Sequence, residues 1–256
     1  MAAETILVTR PLGQGETLCQ ALQRAGFRAC QLPLLQLEAL PELSAAARRS
    51  VQGLAQYRRV IVVSGNAVHH GMPWIERYWP RLPPGPAWYA VGEATARALR
   101  AHGIQARTPG IDMTSEGLLA LPELQAVSGE RLLIIKGEGG RGALRAELTR
   151  RGARVDELAC YRRGCPGYAA GEVAARLAQW QIDVVLISSG EGLANLLALL
   201  SPAETSKFIG ITLLVPSSRV AALAHRAGFR QVITAENASD DAMVRALGDW
   251  QTGAGE

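Results

Sequence analysis

Six short segments group hydroxyls, glycines and cations in a way from which chemistry could be built. They are Thr9-Arg10-Pro11, Ser64-Gly65-Asn66, Gly92 to Thr95, Lys136-Gly137-Glu138-Gly139-Gly140-Arg141, Ser188-Ser189-Gly190 and Pro216-Ser217-Ser218-Arg219. Each follows a short apolar run and opens a helical pattern. Taken singly, such segments are ordinary turn and N-cap chemistry. Six of them together set helix amide ends, hydroxyls and guanidinium groups where anions can sit. The candidate ligands are Arg10, Ser64, Asn66, Thr95, Lys136, Arg141, Ser188, Ser189, Gly190, Ser218 and Arg219. The glycine run after Lys136 is out of register with both the phosphate P-loop and a G-x-G-x-x-G fingerprint, so a nucleotide site is weakly supported.

Other reactive groups are sparse. Cys160 and Cys165 have no second pair or His-x-x-x-His to complete a zinc site, and Cys19 and Cys30 lie in helix and strand patterns where a thiol behaves as a small hydrophobe. Structural thiols in a reducing compartment are the expectation. His69 and His70 are adjacent and so do not form an i, i+4 chelating pair, and His102 and His225 are remote. Neither a Ser/His/Asp order nor H-E-x-x-H is present, which argues against hydrolytic and metal chemistry.

Composition narrows the partners. Of 27 basic residues only Lys136 and Lys207 are lysines, leaving 25 arginines scattered among 23 acidic residues for a net charge of +4. No basic stripe interleaves with aromatics, so nucleic acid is not an expected partner. No apolar stretch approaches the roughly 20 residues of a membrane span, Leu193–Leu200 included, and Met1 to Pro11 reads as a strand and turn rather than a signal peptide. A cytoplasmic, soluble monomer is expected.

The elements that must position the six segments come in two copies. Ile6-Leu7-Val8-Thr9-Arg10 leading to Gly26 matches Leu132-Leu133-Ile134-Ile135-Lys136 leading to Gly152, an offset of 126 (132 − 6 and 152 − 26). Val60 to Ser64 matches Val184 to Ser188, Val91 to Leu99 matches Val215 to Leu223, and Ser115-Glu116 matches Ser239-Asp240, each at an offset of 124. The runs Ile6–Val8, Val60–Val63, Leu132–Ile135, Val184–Ile187 and Ile211–Val215 are apolar on both faces, as buried parallel strands are. Helical patterns at Glu16–Ala25, Ala94–Ala101, Arg141–Arg150 and Val220–Ala227 alternate with them, several closing on glycine. This predicts an α/β fold of two similar doubly wound parallel-sheet domains. A plain duplication would divide near residue 127. The Pro- and Gly-rich breaks at 33–41 and 163–167 allow a different division, in which the chain leaves the first domain, builds the second and returns.

The pattern resembles the uroporphyrinogen-III synthase family over nearly the whole chain. The resemblance rests on Val8-Thr9-Arg10-Pro11, Ser64-Gly65-Asn66-Ala67-Val68, Val91-Gly92-x-x-Thr95-Ala96, Lys136-Gly137 with Gly140-Arg141, Tyr161-Arg162, and Ser188-Ser189-Gly190. It implies two α/β domains joined by a two-stranded linker, the first discontinuous (1–35 and 165–256), the second 38–162, with linkers near 33–41 and 161–167. It also implies a cofactor-free, metal-free cyclising hydro-lyase of tetrapyrrole (haem, sirohaem) biosynthesis. Such an enzyme expels water from hydroxymethylbilane and closes the ring with inversion of the last pyrrole, and a transient contact with the preceding pathway enzyme goes with that role.

By residue type Tyr161 reads as a half-buried strand residue. The resemblance makes it the candidate catalytic residue, because a tyrosine phenol stays protonated at neutral pH and can donate to a departing hydroxide. Ser64, Thr95 and Ser188 read as substrate clamps, with Ser218 as the second-copy counterpart of Thr95 and Arg219 as a carboxylate partner. The substrate's eight carboxylates exceed a net charge of +4, so amides and hydroxyls must share the recognition. A non-catalytic two-domain binding protein or sensor for an anionic metabolite is the competing reading.

Overall fold

The structure, a computed structural model, describes residues 3–110, 112–139 and 142–253. The chain opens with β1 (Thr5–Val8), α1 (Glu16–Arg24) and β2 (Arg28–Gln31). It continues through β3 (Gln36–Ala39), α2 (Ala45–Gln52), β4 (Arg59–Val62), α3 (Gly65–Tyr78), β5 (Ala87–Ala90) and α4 (Glu93–Arg100). There follow α5 (Ser115–Leu119), α6 (Pro122–Gln125), β6 (Arg131–Gly137), α7 (Ala143–Arg150) and β7 (Arg154–Gly164). The last third holds α8 (Glu172–Gln179), β8 (Val184–Leu186), α9 (Gly190–Leu199), α10 (Pro202–Phe208), β9 (Thr212–Val215), α11 (Ser218–Arg226), β10 (Val232–Thr234) and α12 (Asp240–Gln251). Contacts divide the chain into two units, Met1–Gln36 with Gly164–Glu256, and Leu37–Arg163.

The first unit is a parallel sheet ordered β10-β9-β8-β1-β2. Counted as the chain supplies them, its strands run 2-1-3-4-5, the flavodoxin-like doubly wound order, with its switch point between β1 and β8. Both faces are covered: Leu7 packs with Val173, Val185 and Leu213 on one side, Ile6 and Val8 with Leu18, Leu186 and Met243 on the other. This is why the central strands read as unbroken apolar runs.

The second unit has the sheet order β3-β7-β6-β4-β5, with β7–β6, β6–β4 and β4–β5 parallel. Here β6 and β7 hold the places of β1 and β2, while β4 and β5 hold those of β8 and β9. A parallel bridge between Tyr89 and Arg107 stands where β10 would be, and β3 adds an edge beside β7, with Leu40 N donating to Cys160 O at 3.3 Å. Val60 and Val62 point into one core and Ile61 into the other.

Pairing also corrects the repeat register. Val184 sits beside Ile6 and Thr212, and Arg59 beside Leu132 and Ala87, so the second half of each copy is offset by 125 (184 − 59 and 212 − 87), not 124. Hydrogen-bonded ladders set equivalence here, whereas similarity alone slid it by one residue.

Arg151 fastens α5 and α6 to α7. Its Nη1 donates to Leu119 O at 2.7 Å and Leu124 O at 2.9 Å, and its Nε to Glu147 Oε1 at 2.8 Å. Hydrogen bonds from Arg150 and Arg151 hold the Glu147 carboxyl down to about 2, against an ordinary 4.5. A carboxyl depressed on folding stabilises above its unfolded value and loses that contribution as pH falls through the folded one. Stability is therefore expected to fall between pH 4.5 and about 2 with a component absent from Glu147→Gln, read from urea midpoints at successive pH values.

Candidate active site

In doubly wound sheets ligands collect beyond the carboxyl ends of the strands, at the switch point. In the second unit that point lies between β4 and β6, and Tyr161 is brought to it by a β-bulge. Lys136 pairs with Ala159, but the next residue, Gly137, pairs with Tyr161 rather than Cys160. A bulge re-aims the side chains that follow it. Here Cys160 and Tyr161 both reach α3: the Cys160 thiol lies 3.7 Å from Ala67 O, and the Tyr161 ring stacks on His70 with centroids 5.2 Å apart. Gly71 lets α3 come close, since a Cβ there would lie 2.7 Å from Ile135 Cγ2.

Tyr161 is only 4% exposed, more enclosed than a half-buried strand residue. Its Oη lies 3.4 Å from Ser64 Oγ, which also caps α3 by accepting from Ala67 N at 3.1 Å. Its ring lies against Gly137, where a Cβ would be 2.7 Å from Cζ. Burial, and then the neighbouring His69, pull the His70 imidazole below its ordinary value, which keeps it neutral at pH 7. Burial pushes the Cys160 thiol up to about 12, so it is no nucleophile or acid near neutrality.

A cavity of about 280 Å³ opens beside Tyr161, lined by Val63, Ser115, Lys136, Gly137, Gly139, Arg145, Glu157 and Arg163 among others. Glu157 draws on two of its cations, accepting from Lys136 Nζ at 3.2 Å and Arg145 Nη1 at 3.3 Å. Lys136 and Arg145 thus share one carboxylate on this wall. A larger cavity of about 470 Å³ lies by the amino end of β6, but there Arg131 and Asp156 satisfy one another at 2.9 Å. Asn66 sits in the first turn of α3, and Thr95 is buried in the first turn of α4. Arg141, with Gly140, lies outside the described residues.

In the first unit the switch point lies between β1 and β8. Thr9 Oγ1 donates to Leu186 O at 2.6 Å, tying the two strand ends. Arg10 is tied to the Asp240 carboxylate and to Ala238 O, so its guanidinium braces the start of α12. Ser188 Oγ is buried with no hydrogen-bond partner among the described residues. Ser189 caps α9, accepting from Gly192 N at 3.1 Å, and so is the counterpart of Ser64 at the corrected offset. Arg219 Nη1 lies 3.6 Å from where a Gly190 Cβ would be, bringing Arg219 to the amino end of α9. Ser218 is the first residue of α11, opposite Glu93 in the other copy, while Thr95 corresponds to the buried Val220. Ser218 is therefore not the structural equivalent of Thr95.

Helix ends at these turns differ. Ser64 and Ser189 each consume one amide of their own helix. Gly92 and Ser217, the N-caps of α4 and α11, make no side-chain cap bond, and there the equivalent amides, Thr95 N and Val220 N, donate to the cap carbonyls at 3.1 and 3.0 Å instead.

The family model for uroporphyrinogen-III synthase HemD matches residues 16–245. The chain belongs to the uroporphyrinogen-III synthase family. It is 36% identical over 245 residues to uroporphyrinogen-III synthase of Salmonella typhimurium, covering 95% of this chain and 99% of that protein. With the Escherichia coli uroporphyrinogen-III synthase it is 36% identical over 251 residues, covering 95% and 99%. Among solved structures, a triple mutant of uroporphyrinogen III synthase from the extremely thermophilic bacterium Thermus thermophilus shares the fold with a TM-score of 0.64 at 18% identity, covering 98% of this chain and 99% of that one. The Helicobacter pylori uroporphyrinogen-III synthetase does so with 0.61 at 12% identity, covering 97% and 99%.

In this member of the uroporphyrinogen-III synthase family, sequence reasoning missed His70, Arg145, Glu157 and Arg163 as companions of Tyr161. His70 lies six residues past Ser64 on α3, a spacing that carried no signal until Tyr161 was placed opposite it. Glu157 lies on β7 opposite Ile134 and reaches Lys136 diagonally across the β6–β7 pair, which only the register reveals.

Proposed function

We propose that the chain closes hydroxymethylbilane to uroporphyrinogen III, with Tyr161 as the proton donor to the departing hydroxyl. The observation that carries this reading is Tyr161 itself, held by a bulge, a glycine and a histidine stack and lining a cavity together with Lys136 and Arg145 near the switch point. As the C–O bond breaks, its electron pair leaves on oxygen and the Tyr161 proton makes it water. The positive charge left on the former hydroxymethyl carbon and its pyrrole is met by the already substituted α-carbon of the last ring, giving a spiro intermediate. The older bond from that carbon to its bridging methylene then breaks, the methylene re-bonds at the ring's free α-carbon, and the proton lost as that ring regains aromaticity restores the phenol. General acid assistance of this kind contributes about 100- to 10,000-fold.

Recognition of the eight carboxylates is assigned to the turn residues. Lys136 and Arg219 supply charge, the α4 and α11 amide ends supply fixed dipoles, and Ser188 Oγ gains a partner it otherwise lacks. Arg219 is exposed in the first turn of α11, where its charge opposes the helix dipole and a bound carboxylate would offset it. Arg219→Gln is expected to raise KM about 10- to 100-fold, the worth of one charge-assisted hydrogen bond, with kcat little changed. Steady-state kinetics check this; an unaltered KM removes Arg219 from the site. The four free thiols support a reducing, cytoplasmic setting. Among the described residues no helix is long and apolar enough to cross a membrane.

The function is tested by supplying hydroxymethylbilane and identifying the ring isomer. Enrichment in isomer III is expected. Formation of only the non-inverted ring that closes spontaneously would overturn the reading.

A further inference from the structure

Ser64 Oγ sits between two groups. It accepts from Ala67 N at 3.1 Å, which fixes its rotamer as the cap of α3, and it lies 3.4 Å from Tyr161 Oη. With one lone pair committed to the amide, its hydrogen is left to point at the phenol oxygen. If Tyr161 instead gave its hydrogen to Ser64, it would have none for the cavity it lines. Hydrogen bonds at catalytic sites are commonly long until the reacting group is bound, so 3.4 Å is a workable resting distance.

We propose that Ser64 is a positioning residue for Tyr161: its hydroxyl donates to Tyr161 Oη, turns the phenol hydrogen toward the cavity, and stabilises the phenolate that forms when that proton leaves. Ser64 keeps its own proton throughout; the only transfer is from Tyr161 to the leaving hydroxyl. The role replaces direct clamping of substrate by Ser64, and it rests on the proposed ring closure. The equivalent cap in the first unit, Ser189, lies in a copy whose strand at the place of β7 is β2, which ends at Gln31 and is followed by Leu32-Pro33-Leu34-Leu35, with no tyrosine among them, so the device belongs to one copy.

A double-mutant cycle separates the two roles. Ser64→Ala is expected to lower kcat about 10- to 100-fold, as loss of a hydrogen bond to a charged oxygen does, with KM unchanged. In a Tyr161→Phe background the same substitution should add nothing, because no phenol remains to be oriented. Ser64→Thr, which keeps both hydroxyl and cap, should restore kcat to within about threefold of wild type. Ser64→Gly is a tolerated N-cap with no hydroxyl and no charge; it should match Ser64→Ala in kcat, and it carries the cycle if the alanine variant does not fold. Equal losses in both backgrounds, a rise in KM, or a silent Tyr161→Phe would overturn the assignment. A wild-type protein without isomer III activity would overturn the function itself, whereas an active wild type with additive losses overturns only the role of Ser64.

Discussion

Tyr161→Phe is expected to lower kcat by about 100- to 10,000-fold while the protein unfolds at nearly the same urea concentration. The two halves of that expectation have different sources. In the proposed role Tyr161 is the proton donor, and its loss leaves hydroxide to depart without general acid help. Stability loses only the long contact with Ser64, worth at most about 1 kcal/mol, and keeps the ring that fills the space between His70 and Gly137. Turnover of hydroxymethylbilane with isomer analysis, paired with urea unfolding, gives both numbers on one preparation. Turnover equal to wild type would remove Tyr161 from the mechanism, and a large drop in the urea midpoint would recast it as a packing residue.

Gly137→Ala should be nearly as damaging to activity while also weakening the fold. An added Cβ would lie 2.7, 2.8 and 3.1 Å from Cζ, Cε2 and Cε1 of Tyr161, below any ordinary contact. Gly137 ends a strand pinned between β4 and β7, so its backbone has little room to retreat. The ring must move instead, and with 4% exposure and His70 on its face it cannot do so freely. Overpacking of this kind costs about 1–3 kcal/mol, and a displacement near 1 Å at the reacting group costs on the order of 100-fold in rate. Gly65→Ala is the steric control, since nothing lies within 4 Å of a Cβ there and no loss of stability is expected. If Gly137→Ala retained wild-type turnover, the hydroxyl's position over that glycine would not matter.

Legibility in the sequence followed burial. β1, β4, β6, β8 and β9 announce themselves because both faces are buried and nearly every residue is apolar. β2 shows only as a short strand around Cys30, and β3 and β7 do not show, since Gln36-Leu37-Glu38-Ala39 is partly exposed and β7 mixes Asp156, Glu157, Arg162 and Arg163 with its core residues. The internal repeat was visible because turn chemistry recurs, yet only pairing could fix its register to the residue. Site residues show the same limit. Arg10 and Lys136 look like free cations until Asp240, 230 residues on, and Glu157, on the next strand, are seen to hold them. The bulge that turns Tyr161 toward α3 has no signature in Ala159-Cys160-Tyr161 itself, because it arises from a mismatch between two strands.

The permuted order of the two units also sets a timetable. Leu37–Arg163 is one uninterrupted stretch and can close its sheet as soon as β7 has been made. β1, by contrast, is among the first segments synthesised, and its neighbour β8 follows 178 residues later (184 − 6). At roughly 5–20 residues per second the ribosome leaves that edge of β1 unpaired for about 10–40 s. A nascent chain halted before β8 would thus carry a complete second unit together with a β1–β2 pair whose other edge, Leu7 included, still lacks its neighbour.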